Sequence, residues 1–182
     1  NAYQFRDRVL LVFRVLVHYI GILSLASHTS ILNRQEDNEL VSKLVNTLRQ
    51  EGLNQSQWLE LAKELCRPFD RKQDAYPIPE LVSLFFTFDS GQSLVEVFSK
   101  LLELQQEIVS VSSLKEEQLV NLLSKFLDKL TILLKATTWL SDYYLVLPQE
   151  QDAIKWMGIS NDTNTIILKN SNLTTSKAVL VD

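Results

Sequence analysis

One cysteine (Cys66), one methionine (Met157), two histidines (His18 and His28), four glycines and four prolines are all that 182 residues hold of these types. A single cysteine forbids an internal disulfide and sets aside the secreted, disulfide-stapled scaffold. The two histidines stand ten residues apart, nearly three helical turns, so no compact Cys/His spacing for zinc exists and no metal is expected. There is no glycine-rich phosphate loop and no G-x-S-x-G elbow, and no cofactor is expected. So few glycines favour helices over a turn-rich β fold. Strong charge of one sign is missing too. The 18 Lys and Arg against 22 Asp and Glu give a net charge of −4, with the basic residues dispersed. That argues against a nucleic-acid or anionic-membrane surface, both of which need clustered cations.

What is present is enough apolar residue for a core. A chain of this length buries roughly 70% of its unfolded surface and needs no staple. It opens NAYQF without an initiator methionine, and Asn1-Ala2 has the form of a tag remnant, which is set apart from the fold. The expectation is a piece of a longer protein.

The most apolar stretch is VLLVFRVLVHYIGILSLA, residues 9–26, with fourteen apolar positions of eighteen and one charge, Arg14. In a membrane span Arg14 would sit near the middle, at a cost of about 2.5–3.5 kcal/mol. Asp7, Arg14, His18, Gly21 and His28 follow one another at intervals of seven, four, three and seven. They form one narrow helical stripe, with apolar residues over the rest of the circumference. The expectation is the central helix of a bundle, touched by neighbours on most sides, ahead of two alternatives, a membrane helix and an exposed oligomer face.

Four or five further helices follow. DNELVSKLVNTLRQEG places Leu40, Val41, Leu44, Val45 and Leu48 at three-and-four spacing between Asp37/Asn38 and Gly52. NQSQWLELAKELCRPF starts from Asn54 or Ser56 and offers Trp58, Leu61, Ala62 and Leu65 to the core, with Cys66 as a small core residue. DRKQDAYPIP, charged and with two prolines, reads as an irregular, exposed connection. PELVSLFFTF has Pro79 suited to a first helical turn, and Phe85, Phe86 and Phe88 expected in the core. SLVEVFSKLLELQQEIVS and SLKEEQLVNLLSKFLDKLTILLKATTWLSDY complete the set, the last with a capping box from Ser113 to Glu116. From Tyr143 on, the short runs YYLVL, AIKWMGI, NTIILKN and KAVLVD read as strands. The predicted fold is mainly α: a bundle of five to six helices over residues 3–142, with a small C-terminal β annex over 143–182 that continues into further sequence (α+β).

Three stretches, FRDRVLLVFRVLVHYIGILSLA, LNQSQWLELAKELCRPF, and LSDYYLVLPQ with AIKWMGIS and KAVLVD, carry a resemblance. The chain resembles the helical, HEPN-like region with a strand-rich tail found ahead of effector domains in bacterial, notably cyanobacterial, multidomain signalling and conflict proteins. That resemblance implies a cytoplasmic, non-catalytic sensor, adaptor or interaction module, not an enzyme. Its partner would be a protein, either a downstream effector domain of the same chain or a second copy, with no nucleic acid and no membrane. The alternative it implies is a HEPN-type, metal-independent ribonuclease using Arg14 and His18. Active members carry Arg, four to six residues, then His late in the bundle. Here DKLTILLKATTWLSDYY holds neither, and Arg14-x-x-x-His18 is one residue shorter and lies in the first helix. The pair is expected to form a polar seam with carboxylates such as Asp7 or ones from a neighbouring helix instead.

Overall fold

The computed structural model describes residues 2–31, 38–87, 93–110, 116–149, 152–155, 165–166 and 179–181. Among them are six α-helices, and the helical-bundle expectation holds. The chain divides into two units, Asn1–Ala136 and Thr137–Asp182.

The apolar stretch lies within α1, Ala2–Ser30, which extends past both of its ends. α2, Glu39–Gln50, starts because the Asn38 side chain accepts the Val41 N–H at 2.8 Å, supplying a partner for one of the free N–H groups of the first turn. It stops at Gly52, whose φ of +85° suits a residue without Cβ. α3, Gln55–Cys66, begins from Asn54. Asn54 Oδ1 accepts the Gln57 N–H and Gln57 Oε1 accepts the Asn54 N–H, both at 2.9 Å, a reciprocal capping box. α4, Pro79–Phe86, has Pro79 in its first turn. α5 is Leu94–Ser110 and α6 is Glu116–Ala136. Ser113, proposed as the cap of α6, lies outside the described residues, as does Phe88.

α1 packs chiefly on α3 and also on α6; α5 pairs with α6, and α2 and α4 flank α3. The α1–α3 contact is close because Gly21 has no side chain. A Cβ there would lie 2.4 Å from Trp58 Cε3. Trp58 is thereby buried, with Leu61, Ala62, Leu65 and Cys66 beside it on α3. Phe13 of α1 meets Phe126 of α6 edge to face at 5.6 Å, and Phe85 of α4 stacks on Phe98 of α5 at 6.1 Å.

Three expectations are corrected. The connection before α4 is not simply exposed: Tyr76 and Ile78 are buried there, while Asp70, Arg71, Lys72 and Asp74 stay in water. Tyr76 can bury because its ring packs on Phe69 at 5.0 Å and its hydroxyl donates to the Ser24 carbonyl at 2.9 Å. Phe86 is only half-buried, with the Arg67 guanidinium over its ring at 5.8 Å. The last helix ends at Ala136 rather than running on to residue 143, because Thr138–Asp142 tightens into a 3-10 turn.

In the second unit the segments β1 (Tyr144–Gln149), β2 (Asp152–Lys155), β3 (Thr165–Ile166) and β4 (Val179–Val181) pair antiparallel in the order β3-β2-β1-β4. Most of AIKWMGI, NTIILKN and the stretch between them and KAVLVD lies outside the described residues, and the β annex stays an expectation.

Candidate functional site

α1 decides what the first unit can offer a partner. Its buried side carries Val9, Phe13, Leu16, Val17, Ile20, Leu23 and Ser24, and these meet α3 and α6. Among the described residues of the first unit, no helix packs on the opposite side. Phe5, Leu11, Val12, Val15, Tyr19 and Ile22 are 38–57% exposed, a row of large apolar side chains on one helix. This corrects the expectation of a helix touched on most sides. Only 44% of its most apolar eighteen-residue window is buried, although the helix is long and apolar enough to cross a membrane. At the N-terminal end the row continues across the bundle. Phe5 and Ala2 with Val120, Leu123 and Leu127 of α6 line a shallow groove of about 420 Å³.

The polar stripe of α1 marks one border of the buried face. Asp7 and Arg14 are exposed, His18 is half-buried, and Gly21 and His28 are buried. The expected polar seam does not form. Asp7 pairs with Arg6 at 2.8 Å, and among the described residues neither Arg14 nor His18 reaches a carboxylate. His18 lies against the Trp58 ring instead, with centroids 5.8 Å apart. Arg14 and His18 thus share a helix edge, and among the described residues the contact shown for the imidazole is the Trp58 ring.

The remaining chemistry-bearing side chains are structural. Cys66 is fully buried, and burial pushes its thiol up to about 12, so at neutral pH it carries no thiolate for nucleophilic attack. It interacts with Tyr76 and Ser24. Burial likewise holds the Tyr76 phenol well above its ordinary value. Ser24 Oγ donates to the Ile20 carbonyl at 2.9 Å within α1, so this buried hydroxyl is satisfied. Glu64 lies at a junction. It accepts from Arg67 Nε at 2.8 Å and from Asn38 Nδ2 at 3.3 Å, and the Arg67 hydrogen bond holds its carboxyl below the usual carboxylate range. A groove of about 470 Å³ between the start of α3 and the end of α5 is lined by Asn54, Gln55, Ser56, Gln105 and Gln106 with apolar neighbours, and holds no titratable group. Among the described residues no three His, Cys, Asp or Glu side chains gather where they could hold a metal ion.

Compared with family models, curated proteins and solved structures, the chain matches none. The outward row of α1 is the feature that sequence reasoning missed. The spacing of its apolar residues carries the signal, but a helix apolar around most of its circumference does not show by spacing which part of it is covered.

Proposed function

We propose that this chain is a non-catalytic helical sensor or adaptor, a protein-interaction module of a larger cytoplasmic bacterial signalling protein, whose strand-rich tail bridges to a downstream domain. One observation carries the reading: α1 spends half of its apolar circumference on the bundle, and the other half, from Phe5 to Ile22, is exposed among the described residues. Exposed apolar patches of this extent mark contact sites, and a helix presented to a partner is read through side chains three and four residues apart. The ribonuclease alternative needs a titratable group within hydrogen-bond reach of the RNA and cations to hold its phosphates. His18 is half-buried against Trp58, and the side chains flanking Arg14 on the outward face, Leu11 and Val15, are apolar. Incubation with mixed single-stranded RNA tests this. No cleavage is expected; cleavage abolished by His18→Ala with an unchanged melt would overturn the non-catalytic reading.

A further inference from the structure

The outward row of α1 has a repeat. Phe5, Arg8, Val12, Val15, Tyr19, Ile22, Ala26 and Thr29 alternate intervals of three and four without a break, and all eight are exposed. A three-four alternation is the spacing by which one helix seats side chains between those of a second helix along its whole length. The row spans about 36 Å of helix. From Leu11 to Ala26 this face carries no charge, so it takes another apolar helix face and offers nothing to an acidic or basic one.

We infer that the occupant is a second copy of this chain, its α1 lying antiparallel to the first across a two-fold axis centred at residue 17. Deepening the interaction-module reading on which it rests, this names the partner and the register. Two arguments select it. The first is area. Six side chains 38–57% exposed, each presenting on the order of 150–200 Å² when fully exposed, leave about 500 Å² per copy. Two copies then bury about 1,000 Å², the threshold of a specific interface, before the groove beside Phe5 is counted.

The second argument is charge and size. In a parallel pair the two Arg8 side chains would meet at one level of the seam, like charge against like charge. In the antiparallel register Arg8 instead meets the small, uncharged Ala26 of the other helix, so no like charges face each other. The same register sets Phe5 against Thr29, Tyr19 against Val15 and Ile22 against Val12, so a large side chain faces a smaller one at most levels. A closed two-fold pair of this kind uses one surface twice and leaves no open end.

Size-exclusion chromatography with light scattering on the full chain over a range of concentrations is the first test. The expected mass at high concentration is twice the 20.9 kDa of one chain. The double variant Val15→Glu/Ile22→Glu, at sites already 57% and 53% exposed, is expected to stay at the single-chain mass with unchanged helical circular dichroism. Cysteine cross-linking tests the register with milder substitutions, against a native Cys66 that is buried. A mixture of Val12→Cys and Ile22→Cys chains should form a disulfide-linked dimer on mild oxidation. Val12→Cys alone should not, because its two thiols would be offset by about 15 Å, too far for a disulfide. A single-chain mass at every concentration overturns the proposal, and cross-linking of Val12→Cys alone overturns the register. Binding to phosphatidylcholine vesicles that the double glutamate variant abolishes assigns the face to lipid and overturns it as well. Failure here is distinct from failure of the non-catalytic reading, which only the RNA assay decides.

Discussion

At the scale of single residues, Gly21 and Trp58 make a close contact between α1 and α3. Replacing Trp58 by Ala removes a buried indole and leaves a cavity, an expected loss of about 3–5 kcal/mol. Gly21→Ala sets two effects against each other: the helix gains about 1 kcal/mol in propensity, whereas a Cβ 2.4 Å from Trp58 Cε3 forces repacking that costs about 1–3 kcal/mol. The overlap should win, so Gly21→Ala is expected to lower the melting temperature on its own. In the Trp58→Ala background the overlap is gone, and the same substitution should become neutral or stabilising. Calorimetry on the four chains of this cycle measures the coupling; additive effects would show that the two residues do not press on one another. Trp58 was legible as core from its place among the apolar positions of α3. The role of Gly21 was not, because its spacing also fits a polar stripe and only the neighbour across the contact shows what the missing side chain makes room for.

At the scale of elements, Glu64 joins three parts of the bundle through Asn38 at the start of α2, its own α3, and Arg67, which covers Phe86 of α4. Its carboxyl is held below its ordinary value, first by the Arg67 hydrogen bond. A group whose pKa is lower folded than unfolded stabilises the fold above its unfolded pKa, and that contribution is lost as pH falls through the folded pKa. Glu64→Gln should therefore lower stability at neutral pH by up to about 1 kcal/mol, the scale of a partly exposed pair. The gap between the two chains should close in acid, below the usual carboxylate range. Urea melts at several pH values check this, and a gap that persists undiminished in acid would show that packing, not charge, is what Glu64 supplies. The elements themselves were largely legible. Asn38, Asn54, Gly52 and Pro79 act within one or two residues of where they stand, so local chemistry places the ends of α2 and α3 and the start of α4. The connection before α4 was misread because its charges and prolines outweighed Tyr76, whose burial depends on a carbonyl 52 residues away.

At the scale of the whole molecule, the first unit carries the aromatic and aliphatic core of α1 to α6. A chain cut after Ala136 is expected to keep the helical circular dichroism of the bundle and a cooperative melt. A broad, non-cooperative transition in that shorter chain would show that the helices need residues 137–182 to fold. The candidate site belongs to this scale as well, since no residue of the α1 row is chemically distinctive. Arg14 and His18, which are distinctive, stand at its edge, with no carboxylate partner among the described residues.

The sequence by itself determined that the chain is helical through most of its length, where α2, α3 and α4 begin, and that Trp58 and Cys66 lie inside. Each of these follows from forces that act within a turn or two of helix, or from strongly apolar positions repeated at helical spacing. Only the tertiary structure decided which half of α1 is covered. Burial of apolar surface is favourable whatever covers it and has no direction of its own, so a helix apolar around most of its circumference does not specify its neighbours. That choice was made by α3 and α6 closing on Gly21 and Phe13, and it left Val12, Val15, Tyr19 and Ile22 facing outward.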